Sequence, residues 1–278
     1  LPVAYMDDSR QLITTYQGAF LESKEWEGLT LTGGRITEIA ARDSSNREKM
    51  YLMNGPDIKR RSDGLNFAGA SYQFTPGISG SYFYGQLEDI YQQHYLGLTD
   101  VLDLGAGYSL KSDLRYYHNN EDGQALYGTI DNKTYGAMTT LRKGGHGFGV
   151  GYQRMLGDST FPTLNGFAPQ PYLVNWSAVA FIKPNESSWQ ARYDYDFSAL
   201  DLPGLTLTTR YLRGSGIDRG ADLSDSAESE RDLFLAYVVQ SGPLKGLGME
   251  WRNIYARFQH GNNYDENRLM TTYTWTFW

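Results

Sequence analysis

The chain has 278 residues and a formal net charge of −7, a balance that argues against a general nucleic-acid binder. It contains no cysteine, which removes disulfides, thiol nucleophiles and Cys-based metal sites. No run approaches the ~18 consecutive apolar residues that a transmembrane helix requires.

Tyrosine reaches 22 residues and glycine 31, the residues of interfacial aromatic girdles and of close strand packing. Alternating segments bounded by Gly, Asn, Asp, Ser and Pro predict strands over 10–22, 28–40, 64–74, 79–92, 94–104, 107–117 and 133–143. The same pattern continues over 146–156, 173–183, 187–198, 204–213, 231–241, 246–258 and 266–277. That makes about fourteen strands in one domain, with no helical period longer than a turn or two. Short connections such as Thr75–Gly77, Asp201–Gly204 and Ser241–Gly246 alternate with long polar ones at Arg42–Arg61, Asn119–Lys133, Gly157–Tyr172 and Gly214–Glu230. Such alternation is expected when the two ends of a barrel face different compartments.

The last segment defines the class. Leu269, Thr271, Tyr273, Trp275 and Phe277 share one face of a strand, and Met270, Thr272, Thr274 and Thr276 share the other. An aromatic, amphipathic final strand fits an all-β transmembrane antiparallel barrel, where only alternate residues meet lipid and mean hydropathy stays low. The segment Trp189–Phe197 sets the same register: Trp189, Ala191, Tyr193, Tyr195 and Phe197 on one face, Gln190, Arg192, Asp194 and Asp196 on the other. By that parity Lys111, Arg115, Arg210 and Arg252 point away from lipid, and the glycines at 147, 149 and 151 leave a strip of inner wall without side chains. Arg35 and Arg257 fall on the other parity unless a bulge intervenes. A lumen lined by guanidinium groups offers permanent planar donors to carboxylates, and sites at several depths let an anion pass without a deep trap.

Several segments resemble one family, the OprD-type (Occ) substrate-specific porins of pseudomonads. They are Leu1–Arg10, Gly28–Arg35, Asp122–Leu126, Gly151–Arg154, Trp189–Phe197, Tyr237–Lys245 and Asp265–Leu269, and they run in order through the whole chain. The resemblance implies an 18-stranded barrel with inward-folded loops, a ladder of basic residues, and passive uptake of small carboxylate-bearing nutrients such as organic acids, aromatic acids or amino acids. It implies that Leu1–Arg10 belongs to a constriction loop, that Gly157–Pro162 approaches the eyelet, and that Arg192, Arg210, Arg252 and Arg257 are basic path residues. Glu250 stands where relatives are often basic. About fourteen strands leave roughly the first four of the barrel unaccounted for, and Leu1-Pro2 does not resemble a native start, so a partial chain is expected.

The expected path is therefore Arg115, Arg142, Arg192, Arg210, Arg252, Arg257 and Lys111, opposed by Asp7, Asp8 and Asp194. The expected partners are carboxylate solutes, with a slight lean towards organic and aromatic acids, and outer-membrane lipid. No nucleic acid, cofactor or metal is expected, and the barrel is expected as a monomer or weak trimer in the bacterial outer membrane. Two alternatives use the same residues. One is an outer-membrane hydrolase built on His94, His118, His146 or His260, although none sits in a nucleophile motif. The other is a soluble carbohydrate-binding β-protein with Tyr and Trp platforms. The Gly145–Gly151 run has the wrong spacing for a phosphate loop.

Overall fold

The computed structural model describes residues 1–6, 13–42, 44–53, 60–165, 177–220, 223–273 and 275. Among these residues thirteen strands form one antiparallel sheet in which every strand pairs with its neighbours in sequence, from β1 to β13. They are β1 (Thr15–Ser23), β2 (Leu29–Ala40), β3 (Leu65–Gln73), β4 (Ile78–Leu87), β5 (Tyr91–Gly105), β6 (Tyr108–Glu121) and β7 (Asp131–Lys143). Then follow β8 (His146–Leu156), β9 (Ser187–Asp196), β10 (Leu205–Ile217), β11 (Ser226–Val238), β12 (Leu247–Phe258) and β13 (Tyr264–Tyr273). A single 3-10 turn, Phe197–Leu200, links β9 to β10, with the Asp196 side chain accepting from the Ser198 amide.

The hairpins at one end are tight. Between β5 and β6, Gly105, Ala106 and Gly107 all have positive φ (75°, 52° and 77°), the left-handed backbone that matches the twist of the flanking strands. The Asp103 carboxylate accepts from the Gly105 amide at 2.8 Å and fixes that turn. At the other end lie the longest connections, 41–64, 122–130 and 157–186, beside short ones of three residues between β4 and β5 and five between β12 and β13.

Period-2 alternation separates two faces along each strand. One is apolar and open: Leu269 is 77% exposed and Val150 67%, as expected of side chains that meet lipid rather than a second layer. The other face carries the polar and small residues and, towards the long-loop end, the core. There Ile36, Leu65, Phe67, Phe83, Tyr95, Tyr117 and Met155 from the strands pack on Val3, Met50, Leu52, Phe161 and Leu164 from connecting segments. The Phe161 ring meets Tyr117 edge-on at 5.2 Å, and Leu52 bridges Leu164 so that two connections meet over the inner face. Gly69 and Gly85 make room for this filling: a Cβ at Gly69 would lie 2.3 Å from the Phe83 ring, and one at Gly85 2.9 Å from Val3.

The expected strand over 173–183 is not formed in its described part. Residues 173–176 lie outside the described set, and 177–183 run as irregular chain with Val179 and Phe181 buried. Its alternation comes from packing onto the inner wall, and its amides are taken by a carboxylate rather than a neighbouring strand. Ser177, Ala178 and Val179 N–H groups all donate to Glu230, at 2.7, 2.8 and 2.5 Å. That segment accounts for thirteen strands where about fourteen were expected. The start of the expected first strand also differs, since β1 opens at Thr15. The end of the last strand at 274 and 276–278 lies outside the described residues.

Candidate functional site: an arginine row on the inner wall

Register places four arginines side by side on the inner face. Arg192 of β9 is directly opposite Arg210 of β10, and Arg252 of β12 is directly opposite Arg268 of β13. Between these pairs, β11 contributes Asp232 opposite Arg210 and Phe234 opposite Arg252. The Phe234 ring lies between two guanidiniums, 5.2 Å from Arg210 and 5.0 Å from Arg252, which holds both cations against its negative faces.

Three of the four arginines are held in the same way, by a carboxylate two positions along the same strand. Arg192 donates Nε and Nη2 to Asp194, both at 2.8 Å. Arg252 does so to Glu250 at 2.7 and 3.1 Å, and Arg268 to Glu266 at 2.6 and 2.9 Å. Each carboxylate grips one edge of the guanidinium and leaves Nη1 outside the clamp. The side chains remain 30%, 28% and 24% exposed in that order. Such bidentate pairs fix orientation as well as charge. Glu250 therefore does not interrupt the basic row; it positions Arg252.

Arg210 differs. It donates Nε to Asp232 and Nη2 to Ser177 Oγ, both at 2.5 Å, and both members of the ion pair are sealed, at 4% and 0% exposure. The 177–183 segment covers it. Further along, Lys183 pairs with Glu228, and Glu186 sits over Gly214, where a Cβ would collide with its carboxylate. Glu186 lies in the connection ahead of β9. Burial, and then the nearby Glu228 charge, push its carboxyl up to about 8.

Three other expected path residues, Arg142, Arg115 and Lys111, reach the same wall at different places. Arg142 lies opposite Gly147, and a Cβ there would be 3.5 Å from Arg142 Nη1 and 3.7 Å from Asp194 Oδ2. The two charges thus overhang one glycine. Arg115 sits between Gly97 and Gly136 on the neighbouring strands. Lys111 pairs with Asp113 at 3.1 Å and is half exposed. Arg257 is on the opposite face from Arg252: it pairs with Asp265 and lies over the Tyr255 ring, because alternation without a bulge in β12 turns odd positions outward. Arg35 is likewise outward and bound to Glu88 and Asn66. Asp7 and Asp8 lie outside the described residues. Val3 and Ala4, from the segment expected to form a constriction, are buried against the inner wall.

Four residues of the site were not anticipated: Arg268, Phe234, Asp232 and Glu230. The signal for Arg268 is the acid–x–Arg spacing of Glu266 and Arg268, which repeats Glu250 and Arg252 on the neighbouring strand. Phe234 had no such signal, because an inward aromatic breaks the polar-in pattern of β11. The histidines form no hydrolytic arrangement with these groups. His94 and His146 lie on the outer face, their Nδ1 atoms each 2.9 Å from a tyrosine hydroxyl, of Tyr82 and Tyr193. Among the described residues no three of His, Asp and Glu could hold a metal ion.

A long antiparallel meander with an aromatic, apolar outer face, a charged inner face and loops folded onto that inner face is the wall of a membrane β-barrel. Residues 1–277 match the family described as outer membrane porin, OprD family, and the chain belongs to that family. It is 37% identical to the porin-like protein GalP of Pseudomonas putida over 98% of this chain, and 32% identical to porin D of Pseudomonas aeruginosa over 98%. The chain spans 65% and 66% of the length of these two relatives. Among solved structures, Pseudomonas aeruginosa OpdL is 51% identical with a TM-score of 0.95, covering 100% of this chain and 76% of that one. A BenF-like porin from Pseudomonas fluorescens is 38% identical with a TM-score of 0.91, covering 97% and 69%. The solved relatives are outer-membrane barrels, so the chain is an outer-membrane β-barrel protein of a family of channels, not of hydrolases or soluble sugar-binding modules.

Proposed function

We propose that the chain forms most of the wall of a single-domain barrel through which small carboxylate solutes diffuse across the outer membrane, as a monomer or weak trimer, with the long-loop end outside. The open arginines Arg192, Arg252 and Arg268 carry this reading, beside the sealed Arg210. Guanidinium groups at neighbouring wall positions, each clamped on one edge, present the other edge to a passing anion. Because the carboxylates beside them cancel much of the charge, each site is weak, and weak successive sites permit passage rather than capture. Phe234 between Arg210 and Arg252 adds an aromatic face beside the cations, which favours organic and aromatic acids over basic amino acids.

The test is the zero-current potential of the full-length protein in a planar bilayer under a potassium chloride gradient. Anion preference that falls by at least about threefold in Arg192→Gln/Arg252→Gln/Arg268→Gln supports the row. Cation preference in the parent, or unchanged selectivity in the triple variant, overturns it. Aromatic carboxylates added to one side should then block the parent current more than lysine does.

A further inference from the structure

On β10, β11 and β12 three arginines occupy the face that meets lipid, all towards the long-loop end. Arg213 on β10 is exposed and opposite Trp189 on one side and Ser229 on the other. Arg257 on β12 is opposite the same Ser229, and Arg231 on β11 is opposite Tyr211 and Tyr255. The Tyr255 ring gathers two of them: the Arg231 guanidinium carbon is 4.3 Å from its centroid and that of Arg257 is 5.1 Å away. Among the described residues only Asp265, paired with Arg257, answers these charges with an ion pair. Arg231 donates to the Asn253 side chain, and Arg213 makes no hydrogen bond or ion pair among the described residues. On the inner wall the arginines stand in carboxylate clamps. Here three cations share one acid.

Their depth is informative. Position 231 is about 20 Å along β11 from Tyr237 near the short-turn end, and 257 is about 27 Å along β12 from Met249. With strands tilted by roughly 40°, these become heights of about 15–20 Å, near the upper rim of an apolar band ~25 Å tall. Trp189 and Tyr211, whose rings are 5.4 Å apart, lie beside them as interfacial anchors do. A lipid-facing guanidinium is costly deep in the bilayer and is accommodated at its edge, where its stem stays apolar and its head reaches polar groups.

We infer that Arg213, Arg231 and Arg257, joined by the register about Ser229 and Tyr255, form a docking site for the phosphate of a lipid headgroup in the leaflet that meets the long loops. A phosphate takes several guanidinium donors at once, and the stacking on Tyr255 holds two of the three forks in place before the lipid arrives. The surrounding Trp189, Tyr211 and Trp251 receive its acyl chains. This site is independent of the inner row and of what passes through the pore.

The test uses the full-length barrel in phosphatidylcholine nanodiscs doped with a diphosphorylated glucosamine-based lipid, or with the same lipid enzymatically dephosphorylated, and native mass spectrometry of the retained lipid. The parent should retain the phosphorylated lipid at least about tenfold more strongly. Arg213→Gln/Arg231→Gln/Arg257→Gln should lose that preference with single-channel conductance unchanged, and the corresponding triple lysine variant should recover part of it. Should the triple variant fail to fold, Arg213→Gln alone, which removes no hydrogen bond or ion pair among the described residues, should still weaken retention several-fold. Equal retention of both lipids overturns the site. So does full displacement by millimolar inorganic phosphate, which marks a free-anion site, or a shift in oligomeric state on mutation without lost lipid, which marks a subunit interface.

Discussion

Arg192 and Arg210 are register partners, directly opposite each other on adjacent strands, yet they live in different media. Arg192 is held by Asp194 on its own strand and stays 30% exposed; Arg210 is held by Asp232 on the next strand and stays 4% exposed. The sheet alone treats the two alike. What separates them is the segment ahead of β9, which lays Ser177–Val179 over Glu230 and Arg210, while Arg192 stays open. Position on the wall chooses which side chains face inward, and the inserted connection chooses which of those stay exposed. One arginine thus fastens a loop while its neighbour remains exposed on the inner wall.

The sharpest way to break the comparison is to remove the sealed acid. Asp232→Ala leaves a buried guanidinium without its partner, and a loss of about 3–5 kcal/mol is expected, read as a lower urea midpoint for the folded, heat-modifiable barrel. A smaller loss, equal to that of Asp194→Ala, would show that Arg210 is no more enclosed than Arg192.

Glu186 tests the loop attachment through pH. Its carboxyl is raised from about 4.5 to about 8 in the folded chain. Its contribution is therefore complete below about pH 4.5, declines as the unfolded form alone releases its proton, and is gone above pH 8. Glu186→Gln should flatten that decline and stabilise the barrel at pH 9 by on the order of 1–3 kcal/mol. A parent whose unfolding midpoint is level between pH 5 and 9 would refute the assignment.

Asp194→Asn sharpens the other side of the comparison. It loosens the clamp on an accessible arginine, so stability should move by less than about 1 kcal/mol while anion preference rises. Falling preference would mean that Asp194 matters by orienting Arg192 and not by neutralising it. The smallest effect belongs to Lys111→Gln. Its ion pair with Asp113 is half open to solvent, and thermal stability should shift by less than about 0.5 kcal/mol.

The alternation of β8, β9, β12 and β13 made the barrel wall legible in the sequence, because each position's face follows from parity alone. The inward direction of Arg192, Arg210 and Arg252 followed for the same reason, and so did the outward parity of Arg257, which resemblance to the family had placed in the path. The inserted segment at 177–183 was not legible. Buried Val179 and Phe181 imitate strand alternation, and nothing local reveals that the amides are satisfied by Glu230 on a strand far along the chain. Nor could parity say that Phe234 stands between two guanidiniums, since that depends on cross-strand register through β11. Side-chain direction is a local property, whereas enclosure comes from distant pairings.

The glycines of β8 have a consequence for how such a channel changes its bore. At Gly147 a Cβ would meet the Arg142 and Asp194 side chains at 3.5 Å, and at Gly149 its closest neighbour is the flexible Met138 Cε at 2.7 Å. No backbone atom is among those neighbours, so a side chain installed there grows into the opening and leaves the hydrogen-bonded scaffold as it is. The strip works as a dial. A descendant of this sequence could narrow or reshape its aperture by single substitutions at 147 and 149, without redrawing a loop or disturbing one rung of the ladder.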